Sequence, residues 1–525
     1  MVPSELSALK AHEAQTWTGV ELLVCAVLQL FLVFLAYRLD RSTAQQWFIP
    51  ESACAILFGL CFGVVLKFCT PVQDDAMGLN PQVLFFGLLP PIILEAGFNM
   101  KKRGFFTNFS TILLLAIVGT LIATFVTGGA LIWLGHMGWI TALTPAEAYL
   151  YGALISAVDP IATLSVFKKS DAPPMLFNLV FGESVLNDGV AIVVFVLFQE
   201  SIRKGVHEIN SEAASNVIFQ VIVILFGSIL LAAVVCLVSA FMLKHADPSL
   251  QLYPSYEISI ILLSAYISYV VGDLAGLSGI VALFFSGVLM SHYHLTTISQ
   301  ESATALKHLL STLAFLAENF IFLYLGVSVV AYSGAFKWDW AFIAWQMLIL
   351  LVARACNTFP LCTLANCGRK EQIPFSFMVV IWFSGLRGAI AFALALNIWT
   401  INGDHAGVIK SSTLFTVMST TLVFGMLTGP LLTSLGLVKV SKSAPLSLRP
   451  EAVKLLDEMD QNDNEHGFEE SPPSPQHARE RLNASNQGMH GLWTSVDEKY
   501  LMPLFGRSSP DGALPPPPTP SGFGR

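Results

Sequence analysis

Long apolar stretches recur along most of the chain, separated by short polar segments. A helix that spans a bilayer needs roughly 20 mostly apolar residues, and the pattern between Gly19 and Gly436 supplies about thirteen such stretches. They show no two-residue alternation, which argues against a transmembrane β-barrel. They predict an all-helical polytopic membrane protein with spans near 19–37, 50–68, 81–98, 109–135, 146–167, 175–199, 216–243, 254–272, 275–291, 309–332, 340–364, 374–399 and 411–436.

This pattern divides the chain into three regions: an N-terminus over 1–18, a transmembrane domain over 19–436 and a polar tail over 437–525. The tail contains an acidic cluster and the segments SPPSPQ and PPPP, a composition typical of disorder. Two pieces of it are candidates for order, with linker as the alternative: a short amphipathic helix near Glu451 to Met459, and an aromatic patch around Trp493, Tyr500 and Phe505.

Lysine and arginine fall mainly in alternate loops, which sets the predicted orientation. Basic residues are enriched in the cytosolic loops of membrane proteins. With an odd number of spans, this places the N-terminus outside or in a lumen and the tail in the cytosol. The loops assigned to the cytosol carry Arg38, Arg41, Lys101, Lys102, Arg103, Lys168, Lys169, Lys244, Lys307, Arg369 and Lys370.

Composition agrees with a membrane protein. Hydrophobic residues make up 54% of the chain and charged residues only 12%, against roughly 25% charged in soluble domains. The formal net charge of -8 and the lack of a basic stripe exclude nucleic acid as a partner, because phosphates require clustered lysine and arginine. The eight cysteines lack the paired spacings of zinc sites, so neither a disulfide framework nor a structural metal is indicated.

A proline follows an aspartate within the fifth predicted span, in the segment GALISAVDPIATL. Proline lacks a backbone donor and disfavours helical geometry in the preceding residue, so we expect the helix to break at Asp159. An interrupted helix beside a carboxylate is a common construction of cation sites in transporters. The alternative is an ordinary proline kink with Asp159 hydrogen-bonded to a neighbour.

Three oxygen-bearing side chains lie close together in the sixth span, in LVFGESVLNDGVAIVVF. Ser184 and Asp188 are four residues apart and therefore share a helix face, with Asn187 adjacent. One carboxylate with neutral oxygens suits a monovalent cation, since divalent ions recruit several carboxylates. The sixth span therefore supplies Asp188, Asn187 and Ser184 as predicted ligands of Na⁺ or K⁺, and Asp159 of the interrupted fifth span is added to them as the fourth.

Two arginines lie within apolar segments and need partners there. We pair Arg354 with Glu183, because an unpaired buried guanidinium would be prohibitive, and interpret the pair as structural. Arg387 lies between Gly385 and Gly388 in FSGLRGAIAFAL, which predicts a second broken helix that presents positive charge. Breaks in the fifth and twelfth spans fit two inverted repeats of six helices around a linking seventh.

The remaining acidic residues within or beside the spans have weaker interpretations. Asp273 faces either a luminal cavity or a loop, and Glu318 is interpreted as a packing or gating residue. Both are possible accessory residues of the site. Glu95, near the cytosolic lysines, is explained by its side chain reaching the membrane interface.

These segments resemble the eukaryotic sodium/proton exchangers of the monovalent cation:proton antiporter family. The resemblance is carried by LLPPIILEAGF, SAVDP, FGESVLND, LSGIVALFFSGVLMSHY, AENFIFLYLG and WFSGLRGAIAFAL. It implies a homodimer whose core domain moves against a dimerisation domain, with Asp188 as the ion-binding and proton-exchanging acid. Relatives commonly have Glu at the position of Asp273. The segments MSHY and DEKYLMPLF look like the organellar branch of Golgi and endosomal membranes.

The expected activity is electroneutral exchange of Na⁺ or K⁺ for H⁺ by alternating access, without a cofactor. Expected partners are a second copy of the chain, membrane lipids and regulatory proteins that bind the cytosolic tail. One alternative is a cation channel or a transport-inactive sensor with the same fold. A second alternative is an intramembrane aspartyl protease that uses Asp159 and Asp188, although neither acid has the expected GxGD surroundings.

Overall fold

A computed structural model describes the part of the chain that forms the membrane domain. Described residues are 26–38, 50–69, 83–100, 102–159, 163–164, 166–167, 172–205, 211–331, 337–369, 371–396, 398, 400, 403–437, 501 and 504. Helices and short connections account for them, and no strand occurs within these ranges. The region before residue 26, most of the tail, the tail helix and the aromatic patch lie outside them.

Helices follow one another along the chain with few residues between them. In chain order they are α1 Ala26–Arg38, α2 Glu51–Cys69, α3 Leu89–Phe98, α4 Lys102–Thr107, α5 Phe109–His136, α6 Pro145–Ser156, α7 Pro174–Arg203, α8 Ser211–His245, α9 Pro254–Leu274, α10 Gly279–Tyr293, α11 Gln300–Ala331, α12 Trp340–Asn366, α13 Phe375–Phe383, α14 Ala389–Leu396, α15 Gly403–Ser419 and α16 Gly425–Ser434. Turns of π-helix precede α3, interrupt α5 and join α15 to α16; they are Leu84–Leu88, Leu114–Val118 and Thr420–Phe424.

Each predicted span overlaps a helix or a broken pair of helices. Within the described ranges, seven helical segments are long and apolar enough to cross a membrane, and four shorter apolar helices accompany them. The predicted all-helical membrane fold is therefore confirmed, while the count of thirteen crossings stays a prediction. Two helices extend beyond their predicted spans: α8 and α11 continue into polar residues that the sequence pattern assigns to loops.

Contacts between helices divide the molecule into two sets. One set contains α2, α3, α8, α9, α10 and α11; the other contains α5, α6, α7, α12 and the segments from α13 to α16. Glycines allow the closest approaches in the first set: a Cβ atom on Gly59 or Gly326 would collide with the facing backbone of α11 or α2. Small residues at such crossings let membrane helices pack closely by van der Waals contact.

Polar side chains fix the helix starts at one end of the second set, which our orientation places on the luminal side. Thr144 and Glu147 form a capping box at the start of α6, and His405 Nδ1 lies 2.8 Å from Glu147 Oε2. Asp339 caps α12. Partial burial acts to raise the pKa of Asp339, but hydrogen bonds from Thr141 and from backbone N–H groups outweigh it, so this pKa lies below its usual range.

Candidate functional site

The first break follows helix α6, a few residues before Pro160. Helix α6 stops at Ser156, and Ala157 has an extended backbone with φ -58° and ψ 128°. Residues 157–159 are irregular, as expected for residues that precede Pro160. The backbone N–H of Asp159 therefore has no carbonyl from its own helix; it donates to the carbonyl of Leu386, at 2.9 Å.

The second break separates α13 from α14 and contains the predicted arginine. Residues 384–388 leave the helix, and Arg387 is buried among them. Its Nη1 donates to the carbonyl of Gly385 at 2.9 Å. A Cβ atom on Gly388 would collide with the carboxylate of Asp159, so glycine is required there for the close approach. The two interrupted segments therefore cross at Asp159, Leu386 and Gly388.

Asp188 lies on α7, directly beside this crossing. The backbone N–H of Val158, in the first break, donates a hydrogen bond to its carboxylate. Asp159 and Arg387 are the charged residues that act on it electrostatically. Asp188 and Asp159 are both half-buried and both line a cavity of about 400 Å³. The structure thus brings the two predicted carboxylates to one site.

Ser184 and Asn187 have a different environment from the one that the spacing suggests. The residues of α7 that line the cavity are Phe181, Val185, Leu186, Asp188 and Gly189. Ser184 and Asn187 are each 1% exposed and are not part of that wall. The Ser184 hydroxyl and the Asn187 carbonyl oxygen have no hydrogen-bond partner within the described part of the chain. The stripe that faces the cavity is rotated away from them.

The predicted pair of Glu183 and Arg354 is present, behind the crossing. Arg354 contacts Glu183 with both terminal nitrogens, and the Nη2 to Oε2 distance is 3.0 Å. Glu183 is 1% exposed and Arg354 is 4% exposed. Arg354 Nη2 also donates to the carbonyl of Ile381, at 3.1 Å. This ion pair joins α7 and α12 to the end of α13, just before the second break.

Three glutamates from other helices line the same cavity. Glu318 of α11 lies there, although nothing in the sequence relates it to Asp188, and Glu51 and Glu95 lie there as well. Asn99 Nδ2 donates to Glu95 at 2.7 Å, and Ser311, another lining residue, lies 3.4 Å from it. Sequence reasoning missed Glu51 and assigned Glu95 to the membrane interface. The sequence signal for Glu51 and Glu95 is an acidic residue at the end of an apolar run. This signal is too common to identify a site residue.

Asp273 lies outside the wall of this cavity. It is exposed near the end of α9 and does not belong to the cavity wall. Asp273 is in the last turn of α9, and its accessory role stays a prediction. A turn connects the end of α9 to the start of α10, and Gly276 in this turn has a positive φ of 70°.

Two crossing broken helices, with carboxylates at the crossing and a cavity beside them, are the construction of secondary ion transporters. A solved structure has the same fold. The sodium proton antiporter MjNhaP1 from Methanocaldococcus jannaschii at pH 8 superimposes with a TM-score of 0.58 over 81% of this chain and 99% of that chain. Its sequence is 19% identical, so the likeness shows the fold alone.

Sequence comparisons identify the family. A family model described as sodium/hydrogen exchanger, transmembrane, matches residues 30–434. Sodium/hydrogen exchanger 8 of Homo sapiens is 34% identical over 505 residues, which cover 95% of this chain and 85% of that protein. Sodium/hydrogen exchanger 1 of Arabidopsis thaliana is 33% identical over 531 residues, covering 96% and 95%. The chain belongs to the sodium/hydrogen exchanger family of membrane cation/proton antiporters.

Proposed function

We propose that the protein exchanges one monovalent cation, Na⁺ or K⁺, for one proton, and that Asp188 binds each of them in turn. The observation that carries this proposal is the position of Asp188, at a cavity wall where both broken helices meet. A single carboxylate is neutralised by either ion. Because the two ions compete for it, exchange needs no separate coupling device.

The charges at the crossing support an electroneutral cycle. Asp159 and Asp188 contribute two negative charges and Arg387 one positive charge, so these three described groups together have a net charge of minus one. One bound monovalent cation or one proton balances it. Because burial of net charge in a membrane is costly, the balanced cluster is the one that can reorient across the bilayer.

Ser184 and Asn187 have the chemistry to complete the cation's coordination in this proposal. Their buried oxygens have no hydrogen-bond partner within the described ranges, and each unsatisfied buried oxygen has an energetic cost. Rotation of α7 side chains toward the crossing would let these oxygens replace water around a partly dehydrated ion. The pair of Glu183 and Arg354 is structural here, because each charge is already matched by the other.

The other glutamates give the cavity an acidic entrance. Glu51 lies in the first turn of α2 and Glu95 near the end of α3, two helix ends that our orientation places on the cytosolic side. Clustered negative charge raises the local cation concentration. Glu318 lines the same path, and we assign Asp273 no part in it. The structure then corresponds to a state open toward the cytosol.

We further infer a homodimer in which the set of helices with the crossing is the mobile core and the other set forms the dimer contact. Alternating access would occur by movement of one set against the other around the cavity between them. On the organellar motifs, we place the protein in Golgi or endosomal membranes, where it regulates luminal pH and cation content. The cytosolic tail would then bind regulatory proteins.

Proteoliposomes that contain the purified protein test this function. Lumen pH is followed under Na⁺ or K⁺ gradients with the membrane potential clamped. We expect cation-driven proton movement in the wild type, its loss in Asp188→Asn, and its retention in Asp273→Asn, the matched change at an exposed acid outside the cavity. Cation flux that follows voltage without proton movement, or full exchange by Asp188→Asn, contradicts the proposal.

A further inference from the structure

Two consecutive threonines, Thr420 and Thr421, begin the π-helical turn that joins α15 to α16. They are 0% and 2% exposed. Single π turns within longer helices are rare and frequently occur at functional sites. No part of the mechanism described so far uses this turn, and the sequence gives no indication of it.

Both threonine side chains bond to the backbone of one residue in the second break. The N–H of Arg387 donates to Thr420 Oγ1 at 3.1 Å, and Thr421 Oγ1 donates to the carbonyl of Arg387 at 3.2 Å. The Thr420 hydroxyl is itself oriented by the carbonyl of Val417, at 3.3 Å. Because the break removes the helical partners of Arg387, these two side chains satisfy backbone groups that would otherwise be buried without partners.

The residue held in this way lies between the two that contact Asp159. Leu386, on one side of it, accepts the hydrogen bond from the Asp159 N–H at 2.9 Å. Gly388, on the other side, lies directly against the Asp159 carboxylate. A shift of Arg387 along the chain direction would therefore move both contacts. The position of Asp159 relative to Asp188 depends on the threonine pair, although neither threonine lines the cavity.

We infer that Thr420 and Thr421 are positioning residues that set the cation affinity of the exchanger by holding the second break in register with the first. This inference rests on the proposed exchange function. A cation needs both carboxylates at the crossing, whereas a proton needs Asp188 alone. Loss of the threonine contacts therefore weakens cation binding more than proton binding.

Thr420→Val tests the inference, because valine keeps the shape and removes the acceptor from a buried N–H. We expect the apparent KM for Na⁺ in proteoliposomes to rise about fivefold or more, the factor that corresponds to one lost buried hydrogen bond. The maximal rate should stay within about twofold of wild type. The acid limb of the activity profile should move to higher pH, since protons then compete more effectively with the weakened cation.

Three further variants separate positioning from folding. Thr420→Ser keeps the hydroxyl and should restore the wild-type KM. Thr421→Val leaves only the carbonyl of Arg387 without its partner, which costs less than an unpaired N–H, and should raise KM by about two- to threefold. This variant tests the inference even if Thr420→Val folds poorly. Thr428→Val is the matched control, because Thr428 is equally buried and bonds to the carbonyl of Phe424 in its own turn; its KM should equal that of wild type.

The outcomes distinguish this inference from the proposed function. If the wild type shows no cation-driven proton movement, the proposed function fails first. If the wild type exchanges ions but both valine variants at 420 and 421 keep the wild-type KM, the inference is wrong. A lower maximal rate at unchanged KM, with no recovery in Thr420→Ser, also contradicts it, since that pattern indicates loss of folded protein only.

Discussion

Two groups of charged residues inside the transmembrane region occupy different kinds of position. Glu183 and Arg354 satisfy each other away from the cavity, and Arg354 also bonds to the backbone next to the second break. Asp188 faces the cavity, where its carboxylate accepts one backbone hydrogen bond. The first kind of position stabilises a fixed arrangement of helices. The second leaves a carboxylate at which an ion can be exchanged.

Removal of one partner from the buried pair should be strongly destabilising. Glu183→Gln leaves the Arg354 guanidinium buried without a counter-charge, so we expect a loss of about 3–5 kcal/mol in the free energy of unfolding. The measurement is reversible unfolding in mixed micelles. The double variant Glu183→Gln with Arg354→Met should lose less than the sum of the single changes, because it removes both charges together.

An exposed ion pair provides the control for this measurement. Glu200, in the last turn of α7, and Lys204, the residue that follows this helix, are 2.7 Å apart, with side chains 54% and 68% exposed. Glu200→Gln should change the free energy of unfolding by no more than about 0.5 kcal/mol, since solvent screens such pairs. Equal stability losses in Glu183→Gln and Glu200→Gln would show that the buried pair has no special structural role.

The sequence singles out individual residues of the site where an ionisable side chain interrupts an apolar run. Asp188, Asp159 and the pair of Glu183 and Arg354 were found in this way, because burial of charge demands a reason. The cavity wall was not predictable, since Glu51, Glu95 and Glu318 come from helices far apart in sequence. Helical spacing also left the direction of Ser184 open, because a four-residue repeat fixes a face only approximately.

At the scale of elements, the two broken helices can cross closely because one of the residues at the crossing, Gly388, has no side chain. Gly388 lies against Asp159, so Gly388→Ala must push the Asp159 carboxylate or the second break away. We expect at least about a tenfold loss of exchange at a given cation concentration, since a small displacement of an aligned site is costly. Proton movement in proteoliposomes measures it.

The control is a glycine with free space around it. Gly129 lies within α5, and a Cβ atom built on it meets nothing within 4 Å. Gly129→Ala should keep exchange at the wild-type rate, because alanine favours the helix and contacts no other segment. Wild-type exchange by Gly388→Ala would contradict the assigned role of the close approach between the two breaks.

Elements were predictable to the extent that local sequence determines them. Apolar runs gave the helices, and Pro160 with Gly385 and Gly388 gave both breaks. The π turn at Thr420–Phe424 was not predictable, because no local feature of the sequence marks it and its first threonine bonds to Arg387, 33 residues earlier in the chain. Some helix ends also differed, since α8 and α11 continue into polar residues that hydropathy assigns to loops.

At the scale of the whole molecule, the cavity lies between the two sets of helices. Its wall combines Glu51, Glu95 and Glu318 of one set with Asp159 and Asp188 of the other. Relative movement of the sets would therefore change access to the site without taking apart the crossing, which belongs to one set. The resemblance to sodium/proton exchangers implied such a division, but the assignment of each helix to one of the two sets required the packing.

The central claim is that cation and proton compete for one carboxylate, and the pH dependence of cation affinity tests it most directly. The apparent KM for Na⁺ is measured in proteoliposomes at several pH values on the acid limb of the activity profile, with cation and proton varied on the same side. Competition at Asp188 predicts a rise in KM of about tenfold per unit fall in pH, with the maximal rate unchanged. A KM that does not depend on pH, with a maximal rate that falls instead, would show separate sites for the two ions and contradict this account.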